Sequence, residues 1–364
     1  MLFTVLKARL SSLRRCKGVA AVGLFWLTLV FWAGAASDNY QPGGVYYGRS
    51  NYIEYIAGDM PVIFSVPHGG TLTPAEIPDR RPGAISNDFA TINDANTEEL
   101  ALDVSRAFQR YFGHSPHLII CRLKRTKIDC NREIGQGAAG NCHAQQAWKE
   151  FHDYINAASN SVVKQIGKGF YIDLHGQSHP IKRVELGYLL KSEQLTNTDE
   201  VLDQPAYAAQ SSIRTLASQA PITFSQLLRG SNSIGGLLLA NGYPAIPSPA
   251  MPNPWTERNP GGASRDPAEY FDGGYNTRRH GSVELGSLID GLQMEVNYSV
   301  RENAANRSRF AAALARTMDA FFAKYYAFDL RTGKTLSAGA PKPAELHGNS
   351  TPLPSGQSLV GNPL

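Results

Sequence analysis

Apolar runs of strand length recur along this chain, and several lead into a residue that can do chemistry. Residues 61–67 read as a buried strand that runs into Pro67-His68-Gly69-Gly70. Residues 170–174 read as another, running into His175-Gly176. Residues 117–123 and 289–297 have the same character, and the second contains Gln293-Met294-Glu295-Val296. Between these runs the period lengthens to that of a helix. Leu100, Val104, Ala107 and Phe108 share a face over 96–112, with Asn96 placed to cap the helix and Glu98 in its first turn. Trp148, Phe151, Tyr154, Ile155 and Val162 mark a helix over 144–165, and Ala304, Phe310, Ala311, Leu314, Ala315, Met318 and Phe322 another over 303–326. Strands alternating with helices predict an α/β fold with a mixed, mostly parallel sheet covered on both faces.

The intervening segments are less regular. Residues 38–60 are polar and turn-rich, and 71–92, with Pro74, Pro78 and Pro82, read as a long surface loop. Val184 to Leu190 reads as a strand, Ile213 to Leu228 as helical in parts, and Ser231 to Gly242 as a loop with a short helix. Residues 244–280 are rich in Pro, Gly, Asn and Arg and predict a long ordered loop over a site. A single large domain over 37–330 accommodates all of these, and from Arg331 the Pro/Gly/Ser/Thr-rich composition of a disordered tail takes over.

Residues 1–36 stand apart. Arg9, Arg14, Arg15 and Lys17 precede an apolar stretch from Gly18 to Trp32, followed by Ala33-Gly34-Ala35-Ala36, the order of a secretory signal. Cleavage near Ala35 or Ala36 is the expectation, which places the mature protein outside the cytoplasm. The apolar part is short for a span of about 20 residues, so a membrane anchor is the alternative if the segment is retained. This segment also removes the charge asymmetry. It carries five Lys/Arg and no acid out of 35 basic and 31 acidic residues, leaving 30 against 31 and a net charge of −1. Arg122, Lys124, Arg125 and Lys127 form a local cluster, and nothing resembles a nucleic-acid footprint. In an oxidising compartment Cys130 and Cys142, flanking a Gly-rich loop, are candidates for a disulfide, while Cys121 reads as a buried thiol. Asn297-Tyr-Ser and Asn306-Arg-Ser match the glycosylation pattern.

The chemistry gathers at strand ends. His68 and His175 each sit at a rigid exit from an apolar run, as metal ligands would. Asp173, on the same strand face as His175, is placed to orient an imidazole from behind. Catalytic zinc commonly takes three protein ligands and leaves a position open. Glu98 is the first choice for the third, Asp94 the alternative, and Glu76 a weaker candidate. Two imidazoles and a carboxylate favour one zinc ion over a harder metal. Glu295 is the candidate general base, since a carboxylate in an otherwise apolar strand needs a reason to be there. A salt bridge, with Arg301 for example, would be the structural reason. Asn131 and Arg132 can grip a carboxylate, with Arg122 a second possible clamp. The segment Tyr270–Gly281 brings Tyr275, Arg278 and His280 as candidates for substrate contact. The partner these imply is a small anionic amide or peptide.

In that order, these residues resemble the N-formylglutamate amidohydrolase family, related to the zinc carboxypeptidases. The resemblance rests on Val66-Pro67-His68-Gly69-Gly70, Asp94-Ala-Asn-Thr-Glu98-Glu99-Leu100, Asp129-Cys-Asn131-Arg132, Asp173-Leu174-His175 and Gln293-Met294-Glu295-Val296-Asn297, over roughly residues 60–325. It implies a three-layer α/β/α fold of the phosphorylase and zinc-carboxypeptidase type. It also implies zinc on His68, His175 and an acid near Glu98, with Glu295 as the catalytic glutamate and Asn131 and Arg132 on a substrate carboxylate. Carboxypeptidases carry the acidic ligand three residues after the first histidine, and here that position is Thr71. The expected activity is hydrolysis of an amide in an N-acyl amino acid or at a peptide C-terminus. The alternative is a secreted carboxylate-binding protein on a hydrolase-like scaffold.

Overall fold

The computed structural model describes residues 40–82, 89–255, 269–284 and 286–336. The signal or anchor reading of 1–36, the centre of the 244–280 loop and most of the C-terminal tail lie outside the described residues. Among the described residues eight strands form one sheet: β1 (Val45–Tyr47), β2 (Ile53–Ile56), β3 (Val62–Val66), β4 (His117–Cys121), β5 (Gly169–Gln177), β6 (Val184–Gly187), β7 (Ala245–Ile246) and β8 (Ile289–Asn297). Their spatial order is β1-β2-β4-β3-β5-β8-β6-β7. The four central strands β4, β3, β5 and β8 are parallel, β7 runs parallel to β6, and β1, β2 and β6 join by antiparallel pairing.

The alternation of side chains along the central strands produces two cores. Val62, Phe64 and Val66 of β3, Leu118 and Ile120 of β4, and Phe170, Ile172 and Leu174 of β5 pack with Leu100, Val104 and Phe108 of the Thr97–Phe112 helix and with the Ala304–Phe321 helix. The alternate positions Ile63, Ile119, Cys121 and Tyr171 pack against Trp148, Phe151, Ile155 and Val162 of the Cys142–Ile166 helix. A strand buried on both faces reads as a continuous apolar run, which is why these strands were legible. The result is a three-layer α/β/α arrangement, as the sequence predicts.

The order β4-β3-β5 fixes where a site can form. The chain leaves β3, crosses one face through the Thr97–Phe112 helix to β4, then crosses the other face through the Cys142–Ile166 helix to β5 on the far side of β3. Right-handed crossovers in opposite directions must use opposite faces. A crevice therefore opens at the carboxyl ends of β3 and β5, the usual ligand position in open α/β sheets. His68 and His175 stand at those two ends.

Several expectations change. Residues 38–60 contain β1, β2 and a short 3-10 turn, and Tyr55 of β2 is fully buried in an aromatic group with Tyr40, Tyr46 and Tyr154. Asn96 occupies the position before the helix in a left-handed conformation (φ 63°), but its side chain makes no cap and donates instead to the Arg301 carbonyl (3.1 Å). Tyr275–His280 is a helix rather than loop. The described start of the tail is structured, with Lys334–Thr335 pairing Phe328–Asp329. Cys130 and Cys142 are not bridged: Cys130 is buried beside Cys121, and Cys142 is exposed at the start of its helix. Asn297 is buried, with its amide donating to Gln177 Oε1 and the His179 carbonyl, so the folded chain offers no glycosylation site there.

One buried histidine gives the fold an acid limit. Burial lowers the His117 pKa to about 4, and its Nδ1 accepts from the Gly58 N–H (3.1 Å) and lies 2.8 Å from the Tyr55 hydroxyl. The unfolded imidazole takes its proton near 6.5 and the folded one only near 4. Between those values the unfolded state binds more protons, so stability falls as pH falls, by about 3 kcal/mol over the window. His152, lowered to about 3 by burial, adds to the same slope. Between pH 7 and pH 4, denaturant midpoints of wild type should fall relative to those of His117→Asn, which keeps an acceptor but cannot charge. Equal slopes in the two proteins would remove His117 from the account.

Candidate metal centre

His68 follows β3 by two residues, and His175 is paired in register with Glu295 across β5 and β8. The two imidazole centroids are 4.8 Å apart. Between the rings lies Asp94, whose Oδ2 is 3.0 Å from His175 Nδ1 and 3.5 Å from His68 Nδ1. Ligand atoms of His68, Asp94 and His175 all fall within 4.8 Å of one another, and all three residues are buried.

Each imidazole turns Nδ1 toward this centre and has a carboxylate behind it on Nε2. His68 Nε2 is 2.7 Å from Asp129 Oδ1, and His175 Nε2 is 2.8 Å from Asp173 Oδ2. Asp173 is itself fixed by Ser65 Oγ (2.5 Å), Tyr171 OH (3.2 Å) and Asn276 Nδ2 (3.2 Å). Asp129 accepts from Arg125 Nε (3.1 Å) and the Asn131 N–H (3.0 Å). This is how a protein fixes the orientation and tautomer of imidazoles that offer their other nitrogen to a metal. His68 Nδ1 is buried without a hydrogen bond among the described residues, and Glu295 Oε2 is another such atom.

The charges agree with the geometry. Burial opposes ionisation of Asp94, but His68 and His175 hold its carboxyl far below the usual range. Burial likewise opposes a charged His175, yet Asp173 and Asp94 push its pKa well up. Asp94, Asp129 and Asp173 thus surround two imidazoles, with Arg125 the nearest fixed cation beside Asp129 and Asp94, an environment that favours further positive charge. A divalent cation on the converging Nδ1 and carboxylate atoms would match it, and two imidazoles with one carboxylate are a donor set that suits zinc.

Glu295 stands beside this centre, its Oε1 3.9 Å from His175 Nδ1 and accepting from Gln293 Nε2 (3.0 Å). Burial pushes its pKa up to about 8, with the Asp94 and Glu185 carboxylates adding and His175 opposing. Glu185 belongs to β6 and pairs in register with Glu295. A cavity of about 450 Å³ opens over the group, lined by Arg125, Asn131, Arg132, Tyr275 and Glu295 among others.

The remaining sequence candidates divide. Asn131 and Arg132 reach the cavity, Asn131 with its amide nitrogen 3.4 Å from His175 Nε2 and its oxygen accepting the Asn276 N–H (2.8 Å). Tyr275 also lines it. Glu98 does not join the histidines, because Arg122 binds its carboxylate. Arg122 is committed to Glu98 and, through Nε (3.0 Å) and Nη2 (2.5 Å), to Glu54 of β2, and is not part of the cavity wall. Glu76 lies with Tyr52. His280 is buried against His152 (2.8 Å), and Arg278 is exposed on its helix, so neither meets the cavity. Asp129 and Arg125 were missed as site residues. Asp129 opens the Asp129-Cys-Asn131-Arg132 motif, and Arg125 belongs to the basic cluster four residues before it, on the segment leaving β4; neither feature indicates that His68 is the partner of Asp129.

No protein-family profile matches the chain, and no curated protein matches it. Among solved structures it is similar to the N-formylglutamate amidohydrolase from Ralstonia eutropha JMP134 (14% identity, 78% of this chain and 99% of that one, TM-score 0.45). It is also similar to the gene product Atu2144 from Agrobacterium tumefaciens (15% identity, 73% and 93%, TM-score 0.39) and the succinylglutamate desuccinylase from Chromobacterium violaceum (10% identity, 79% and 72%, TM-score 0.32).

Proposed function

We propose that the chain is a zinc-dependent hydrolase that cleaves the amide bond of a small carboxylate-bearing substrate, an N-acyl amino acid or a peptide C-terminus. The observation that carries this reading is the convergence of His68 Nδ1, Asp94 Oδ2 and His175 Nδ1 beside Glu295, under a cavity with cationic side chains on its wall. His68, Asp94 and His175 would hold one zinc ion. Bound there, the ion supplies a Lewis acid for the scissile carbonyl and acidifies water.

The protein's own groups do the rest. Glu295 accepts a proton from the attacking water and delivers it to the leaving nitrogen, a role for which a buried carboxylate of raised pKa is suited. Arg132 and Asn131 hold the substrate carboxylate and so fix which amide meets the water. Arg125 and Tyr275 are the donors on the cavity wall available to a developing oxyanion. A cavity of about 450 Å³ matches a small-molecule substrate better than a folded one. With the N-terminal segment acting as a signal, the reaction takes place outside the cytoplasm.

The test uses protein purified without added metal. Near-stoichiometric zinc is expected, with chelator-sensitive release of free amino acid from some member of a panel of N-acyl amino acids and short peptides. Metal-free protein that binds carboxylates and hydrolyses nothing would establish the binding-protein alternative instead. Cleavage of N-acyl amino acids but not peptides would make the enzyme an amidase.

A further inference from the structure

Arg301 is among the largest fully buried side chains, 1% exposed, and the proposed reaction makes no use of it. Its guanidinium donates to three backbone carbonyls: Nε to Val296 (2.8 Å), Nη2 to Gln177 (3.0 Å) and Nη1 to Ala95. These belong to the residue after Glu295, the second residue after His175 and the residue after Asp94. The Arg301 carbonyl returns the contact by accepting from Asn96 Nδ2 (3.1 Å). Tyr298 lies against the guanidinium (5.6 Å to the ring centroid). The chain leaves room for this group at Gly176, where a Cβ would overlap the guanidinium itself.

The geometry points to Arg301 as a positioning residue, one buried guanidinium that sets the spacing of Asp94, His175 and Glu295 by holding the backbone beside each. The inference rests on reading those residues as a metal site with its base. Three chain segments meet there, and only β5 and β8 are held together by sheet pairing. The Asp94 segment is loop, and Arg301 joins it to both strands. A planar fork of fixed donors can satisfy three carbonyls in different directions, whereas a lysine ammonium on a flexible stem cannot hold the same set. A charge buried to this degree is costly unless its hydrogen bonds are made, so the three carbonyls also hold the arginine in place.

Full-length Arg301→Lys, Arg301→Ala and Gly176→Ala test this by zinc affinity, measured by competition with a chromogenic chelator, together with kcat, KM and melting temperature. Arg301→Lys should weaken zinc binding by about 10-fold or more, the scale seen when groups behind a metal ligand are lost. Its kcat should fall about 100-fold with KM nearly unchanged, because misplacement by about 1 Å has that effect on a reacting geometry. Methylguanidinium, but not methylammonium, should partly restore zinc affinity and kcat to Arg301→Ala. Gly176→Ala, which keeps the arginine but displaces it, should reproduce the Arg301→Lys losses. Arg301→Lys that melts lower yet binds zinc and turns over like wild type would overturn the positioning role. If the Arg301 variants do not fold, Gly176→Ala decides alone, and wild-type zinc affinity and kcat in it are the overturning result. Zinc bound by neither wild type nor variants sinks the metal reading itself.

Discussion

Glu295→Gln should lower kcat by about 1,000-fold or more while leaving KM and zinc content close to wild type, since general acid–base catalysis commonly contributes 10²–10⁴-fold. The substitution is nearly isosteric. A glutamine at 295 retains an oxygen to accept from Gln293 Nε2, so the end of β8 keeps its local bond. The three atoms proposed for zinc lie on other residues, so the metal should remain. What disappears is the group that carries the proton from water to the leaving nitrogen. The metal-free variant should also melt higher than metal-free wild type, because an uncharged amide replaces a carboxylate whose burial is costly at neutral pH. Lower activity combined with higher thermal stability is the signature of a residue kept for function. Full activity in Glu295→Gln would remove it from the chemistry. Lost zinc together with lost activity would assign it to the metal instead.

The outcome for each residue depends on how far its partners lie along the chain. β3, β5 and β8 were legible because buried parallel strands are apolar throughout, and their chemical residues stand out against that background. His68, His175 and Glu295 therefore came from local pattern alone. β1 and β2 were not legible, being strands of three and four residues in a Tyr- and Gly-rich stretch. Missing β2 hid Glu54, and without Glu54 nothing indicated that Arg122 is already occupied. Asp129 reads locally as a neighbour for Arg132, but its main partner is His68, 61 residues earlier. No periodicity encodes such a pairing. It follows from the crossover order that sets the segment after β4 beside the end of β3. The disulfide expectation failed for the same kind of reason. Sequence spacing brings Cys130 and Cys142 near in the chain, but one side chain enters the core and the other faces solvent.

The second large effect concerns the third ligand. Asp94→Asn should weaken zinc binding by at least about 100-fold, since losing a ligand's charge should exceed the 10–100-fold cost of losing a group behind one. Glu98→Gln should change affinity by only a few-fold and instead lower stability, because Arg122 would then share one carboxylate rather than two. The difference comes from four residues of backbone. The Asp94 N–H donates to the His68 carbonyl (3.1 Å), and Asp94 Oδ2 accepts the Gly176 N–H (3.1 Å), so backbone and carboxylate together tie the residue to both strand ends. Thr97 Oγ1 then donates to the Asp94 carbonyl (2.7 Å), and the left-handed Asn96 turns the chain into the helix. By Glu98 the side chain has passed to the β4 side, within reach of Arg122. An acid in a helix's first turn is favourable whatever the function, so composition alone cannot separate the two. Isothermal titration of both variants with zinc separates them. Retained affinity in Asp94→Asn with loss in Glu98→Gln would require the loop from His68 to Thr97 to rearrange when metal binds, carrying Glu98 away from Arg122 and toward the histidines.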